Sequence, residues 1–334
     1  MIFSRRNLLL GAGATAAVVG AGVGTLALNA GDPAEVELPP PASGKALWRN
    51  WSGLQHCDAT AIAAPADENE LADILTKAAG PIRPVGAGHS FTALVPTEGT
   101  VLSLDRMNGI VSHDAAALTA TARAGTRLFA LGEALEGLGQ AMDALPDINK
   151  QSLGGAMATA THGTGRAFSS LASFATGLTL MTPDGKTHVC DATTNAALFD
   201  AARVSLGALG VITEVRLQNR AALRVKRRTW FAPFQDILAA CHALADQHRH
   251  FEFYALPFTG MAYCIAHDET DEPDTPRAAN AENSGVEDLM MLRDYTSWAP
   301  WLRRGLAQQL ISGTPTEEVV GTAWRLLSTE RPKR

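Results

Sequence analysis

Three segments crowded with small residues constrain this chain more than any other feature: Pro84-Val-Gly-Ala-Gly-His-Ser90, Gln151-Ser-Leu-Gly-Gly-Ala-Met-Ala-Thr-Ala-Thr-His-Gly-Thr-Gly165 and Ser205-Leu-Gly-Ala-Leu-Gly-Val-Ile212. Glycine backbones enter conformations closed to other residues and come close to a neighbouring backbone or ligand. Successive amide N–H groups of such a loop converge on an anion. The interspersed Ser and Thr hydroxyls offer donors to a flat polar ligand without filling its cavity. One glycine turn is weak ground, since tight turns use glycine routinely. Three of them in this order, each following or joining a predicted strand, are specific. Neither GxGxxG nor GxxxxGK[ST] is present, so the ordinary dinucleotide fold and the P-loop lack their fingerprints.

Hydrophobic periodicity places these segments on a framework. Thr60-Ala-Ile-Ala-Ala-Pro65 reads as a strand. Residues 67–79 read as a helix with an acidic start, with Leu71, Ile74, Leu75 and Ala78 on one face and Gly80-Pro81 as the stop. Ile82-Arg-Pro-Val85 is the next strand, and Val101-Leu-Ser-Leu104 and Leu118-Thr-Ala-Thr-Ala122 follow. Residues 127–138 predict a helix closed by Gly139, and Leu178-Thr-Leu-Met-Thr182 and Thr187-His-Val189 predict a hairpin around Pro183-Asp-Gly185. After a helix near residues 198–203, Val211-Ile-Thr-Glu-Val-Arg-Leu217 alternates as a half-buried strand. A second domain begins near Arg224, with a helix over 234–248, a strand at Phe251-Glu-Phe-Tyr254, an acidic loop over 267–287 and a Pro300-kinked helix over 289–311. The mixture predicts an α+β fold.

With 334 residues the chain has room for two domains. Its 46% apolar and 19% charged residues argue against extensive disorder. A net charge of −6 without a Lys/Arg-rich run argues against nucleic-acid binding, which depends on neutralising phosphates. Cys57, Cys190, Cys241 and Cys264 show no metal-ligand spacing and no disulfide framework, and read as buried thiols; no metal is expected. Arg5-Arg6 followed by an uncharged Gly/Ala-rich stretch reads as a twin-arginine export signal over residues 1–30, with a plain membrane anchor as the alternative. A flexible linker over 31–47 follows. This predicts a periplasmic protein, or one tethered to the outer face of the membrane.

Taken with Trp48-Arg-Asn-Trp-Ser-Gly53, Ser152-Leu-Gly-Gly155, Ala160-Thr-His-Gly-Thr-Gly165 and Gly207-Ala-Leu-Gly-Val-Ile-Thr213, the glycine segments resemble the FAD-binding domain of vanillyl-alcohol-oxidase type flavoproteins. Within that group the chain looks most like the aldonolactone oxidases, with the alditol oxidases nearby. The resemblance implies a two-subdomain FAD-binding domain over 48–222 and a partial α+β cap domain over 223–334, whose first strand is similar to Phe251-Glu-Phe-Tyr254.

By the same resemblance the backbone of Val85, Gly86, Ala87, Gly88, His89 and Ser90 holds the pyrophosphate, and His89 carries the flavin covalently. Ser152, Gly155, Thr159, Thr161 and His162 line the flavin, and Val211 and Ile212 touch the adenine side. A turn histidine is the plain alternative for His89, and a loop-fixing residue the alternative for His162. Pro146, eight residues before Gly154, occupies a position where the family associates Gly or Pro with oxygen-using oxidases. The implied chemistry is hydride removal from a hydroxyl-bearing carbon of a sugar lactone or polyol to flavin N5, with molecular oxygen or another acceptor taking the electrons. The family's late Arg-Phe-Asn-Glu-Met-Glu-like and His-Trp-Gly-Lys-like runs are absent from this sequence. Catalytic residues therefore stay unassigned, and a flavin-binding protein without turnover is the alternative function.

Overall fold

The computed structural model describes residues 40–257, 259–276 and 314–328, with positions 305, 306, 309 and 311. The expected export signal, most of the linker and most of the expected 289–311 helix lie outside these residues.

In the first domain a strand–helix–strand unit follows a short antiparallel pair, Ala46–Arg49 with His56–Ala59. Asp67, in extended conformation, accepts hydrogen bonds from the amides of Asn69 (2.8 Å) and Glu70 (2.9 Å), and so starts helix Glu68–Lys77. Leu71 and Leu75, one turn apart, bury its inner face. The helix carries the chain from strand Ala61–Ala63 to strand Ile82–Val85, and Thr100–Ser103 pairs in parallel with both. Parallel pairing requires such a crossover. It also directs residues 86–90 out of the carboxyl end of a parallel strand, where α/β sheets hold ligands.

Beside this unit lies a five-stranded antiparallel sheet in the order Thr187–Asp191, Ala175–Met181, Val211–Gln218, Thr119–Arg123, Ile110–Asp114. The Pro183-Asp-Gly185 turn closes its hairpin with Gly185 at φ +77°, a left-handed conformation that suits glycine. Helix Leu128–Gly137 buries Leu128, Leu131 and Leu135. One core cluster joins these to Leu71, Leu102, Leu180 and Val215. Ala323, Leu326 and Leu327 enter the same cluster, so the last described segment packs into the first domain's core. Trp324 lies over Gly132, where a Cβ would come within 2.6 Å of the Trp324 Cβ, and its indole N–H donates to the Glu136 carboxylate.

The second domain is a four-stranded antiparallel sheet ordered His250–Leu256, Met261–Glu269, Arg224–Pro233, Glu317–Thr322. Helix Phe234–Gln247 covers one face, where Ile237, Ala262 and Cys264 are buried with Trp230, Phe251 and Phe253 packed around them. Alternation along the strand turns His250, Glu252 and Tyr254 to the opposite face, toward the first domain. The sequence places an acidic loop from His267 onward. Instead the strand continues to Glu269, paired with Val225, Lys226 and Arg227, and His267 is only 2% exposed. Cross-strand pairing overrides the local polarity there.

Candidate cofactor site

The three glycine segments meet in one cleft that opens to solvent. Val85, Gly86, Ala87, Gly88, His89 and Ser90 form one side. Ser152, Gly155 and Thr159 come from the second segment, and Val211 and Ile212 from the third. Thr161 and His162 are not among the residues that line the cleft. The Thr161 hydroxyl accepts from the Gln151 side-chain amide at 3.2 Å. His162 is exposed, with Nδ1 2.9 Å from the Gly163 carbonyl oxygen, and its backbone pairs with Ser170. Both fix the loop that supports the cleft.

The glycines do more than admit a ligand. Ser152 caps the short helix Leu153–Ala158, its Oγ accepting from the Gly155 amide at 3.3 Å. A Cβ on Gly86 would lie 2.3 Å from that Oγ and 3.2 Å from the Gly155 Cα. Gly86 and Gly155 therefore allow the first two segments to approach each other, which residue spacing alone does not reveal.

Residues 86–90 are strapped from outside. The Trp51 amide donates to the Gly88 carbonyl at 2.9 Å, and buried Asn50 donates through Nδ2 to the Ser90 carbonyl at 2.9 Å. With these carbonyls held and Gly88 at φ +69°, the amides of Ala87, Gly88 and Ser90 have no hydrogen-bond acceptor among the described residues. Such a row of amides is a ready anion site. Half-buried His89 lines the cleft and stacks on Trp51, with ring centroids 5.2 Å apart and 25° between planes. Asn50 and Trp51 carry no signal of their own in the sequence; only the resemblance of the surrounding 48–53 segment marks them.

Asp105, outside the three segments, and Gln151, at the start of the second, also line the cleft. Asp105 is neutralised by Arg127 at 2.7 Å, which also donates to the Lys150 carbonyl at 3.2 Å. Gln151 Oε1 and Ser205 Oγ, both at the cleft, are buried without a partner among the described residues. Buried polar atoms of this kind call for a ligand or water. Free amides for a diphosphate and orphaned side-chain groups for a polar ring system are what FAD requires of its holder.

A second polar cluster lies where the domains meet. The Tyr254 hydroxyl is 3.0 Å from Asp147 Oδ2 and 3.1 Å from Glu252 Oε2. Burial and the Asp147 charge push the Glu252 carboxyl up to about 7, and burial with both carboxylates raises the Tyr254 phenol. His250 Nδ1 is 2.8 Å from the Thr164 carbonyl oxygen, and His267 Nε2 is 2.9 Å from that of Leu326. Burial lowers both imidazoles, His267 to about 3.

Fold and cleft together define an FAD-binding flavoprotein of the vanillyl-alcohol-oxidase type with a cap domain. Family models match in the same order: the FAD binding domain over residues 59–191 and D-arabinono-1,4-lactone oxidase over 215–334. L-gulono-1,4-lactone dehydrogenase of Mycobacterium tuberculosis is 32% identical over 299 residues, covering 86% of this chain and 68% of the relative. L-gulonolactone oxidase of Scyliorhinus torazame is 30% identical, covering 68% of this chain and 52% of its own. A cholesterol oxidase structure from B. sterolicum superposes with TM-score 0.68 at 18% identity, covering 89% of this chain and 65% of that one, and so supports the fold. The chain belongs to the FAD-linked aldonolactone oxidase and dehydrogenase family, and its cofactor is FAD. It spans about two thirds of the mycobacterial relative and about half of the vertebrate ones.

Proposed function

We propose that this chain oxidises the hydroxyl-bearing carbon beside the ring carbonyl of an aldonolactone. The observation that carries the reading is the pairing of an FAD cleft with a lactone-oxidase cap in one chain, each matched by its own family model. When bound, FAD supplies the two-electron chemistry. The protein's share is placement: the amides of Ala87, Gly88 and Ser90 hold the diphosphate, Asn50 and Trp51 fix that loop, and the inner face of the cap sheet closes against the first domain through Tyr254 and His250. L-gulono-1,4-lactone and D-arabinono-1,4-lactone, added without air, should bleach the yellow colour of the purified protein. Persistent colour with both lactones would overturn the lactone reading.

The finer features rest on particular residues. His89 is the proposed covalent anchor, supported by its place on the cleft wall after the left-handed Gly88 and by its stacking on Trp51. Acid precipitation should carry flavin into the pellet, and His89→Ala should release it to the supernatant. Oxygen is the proposed acceptor, on the strength of Pro146, which is buried beside the junction cluster. Peroxide formation in air is the measurement. Export through the twin-arginine route is proposed from Arg5-Arg6, with a tether to the outer membrane face if the signal is retained. Replacing both arginines by lysine should strand the protein in the cytoplasm. Among the described residues no helix is long and apolar enough to cross a membrane.

A further inference from the structure

We infer that Arg83, with the Ser205 hydroxyl at the same cleft, is the cationic partner of the FAD diphosphate, complementing the amides of Ala87, Gly88 and Ser90. The inference rests on the assignment of FAD to this cleft. Arg83 lies on strand Ile82–Val85, is solvent-exposed and lines the cleft. Among the described residues its guanidinium has no carboxylate within salt-bridge reach and no hydrogen-bond acceptor. That sets it apart within its own domain, where Arg106, Arg123, Arg127, Arg203 and Arg216 each hold a carboxylate at 2.7 to 3.7 Å. Asp105, the acidic group on the cleft wall, is already tied to Arg127 and leaves Arg83 uncompensated.

The Ser205 hydroxyl is the independent observation. Its Oγ is buried at the cleft and makes no hydrogen bond among the described residues, a loss that a bound acceptor would make good. Both residues line the one cleft, and the Pro84 ring lies 3.5 Å from where a Gly207 Cβ would stand. The strand bearing Arg83 thus packs on the loop bearing Ser205. Backbone amides offer dipoles to a diphosphate but no net charge. A guanidinium supplies the charge, with planar paired donors suited to phosphate oxygens.

The test uses the full chain carrying His89→Ala, so that flavin binding is reversible, and measures the affinity for FAD and for riboflavin, which has no phosphate, at low and high salt. Arg83→Gln should weaken FAD binding about tenfold, as loss of a charge-assisted hydrogen bond does. Arg83→Lys should restore most of it, and riboflavin affinity should not change. The salt dependence of FAD binding should also shrink in Arg83→Gln. Ser205→Ala should cost FAD about threefold, a neutral hydrogen bond's share. Equal FAD affinity in parent and Arg83→Gln would overturn the inference, and so would equal weakening of FAD and riboflavin, which marks a damaged loop. A parent that takes up no FAD at all would overturn the cofactor assignment, and this inference with it.

Discussion

Glu252 shows how one position can be decided by what faces it. On its strand it is one polar residue in Phe251-Glu-Phe-Tyr254, but the fold sets it against Asp147 with the Tyr254 hydroxyl within hydrogen-bond distance of both. Its carboxyl, raised to about 7 by burial and by Asp147, gives a signed pH dependence. An acid whose folded pKa is raised favours the folded state below its unfolded value, near 4.5, and loses that advantage as pH rises to about 7. After discounting for its partial exposure, the contribution is about 2 kcal/mol. Urea midpoints of the wild type should therefore carry a fall between pH 4.5 and 7 that Glu252→Gln removes. A variant whose pH profile overlays the wild type would disprove the assignment.

At the scale of elements, the short helix Leu153–Ala158 and residues 86–90 form one packed unit. Gly86→Ala drives a methyl group to 2.3 Å from Ser152 Oγ, so the serine must rotate off its cap or the loops must part. Overpacking of this kind costs about 1–3 kcal/mol, and Ser152→Ala alone removes a cap worth about 1 kcal/mol. Because the first change already displaces the hydroxyl that the second deletes, the double variant should lose less than the sum by about 1 kcal/mol. Strict additivity in a double-mutant cycle would show that the two segments do not meet as described. The same contact explains why an N-cap serine and two glycines lie in one cleft wall: element termination and loop approach use the same atoms.

Across the whole molecule, the cap is latched to the first domain through buried neutral histidines. His250 reaches the Thr164 carbonyl and His267 that of Leu326, in the segment that packs into the first domain's core. Both imidazoles are held neutral by burial, His267 down to about 3. A histidine with a lowered folded pKa stabilises fully above its unfolded value near 6.5, and that stability drains as pH falls toward the folded value. Acid should therefore loosen the junction. His267→Gln keeps a side-chain donor without the titration, so it should flatten the loss of stability between pH 6.5 and 4 in urea unfolding. A variant that remains as acid-sensitive as the wild type would place the latch elsewhere.

The sequence by itself determined the helix over 68–77, the Pro-Asp-Gly hairpin, the strand at 211–218 and the three glycine segments, because each depends on local chemistry: caps, turn dihedrals and two- or 3.6-residue periodicity. It also named most of the cleft wall, since close backbone approach leaves a visible mark in glycine and alanine. Only the tertiary structure decided that Thr161 and His162 do not line that wall, that Asn50 and Trp51 strap residues 86–90, and that the Arg83 guanidinium and the Ser205 hydroxyl are left without partners among the described residues. It alone turned the acidic start at His267 into a buried strand. These outcomes depend on which distant group each residue meets, and pairing across strands and domains is a property of the folded chain that no short window of sequence contains.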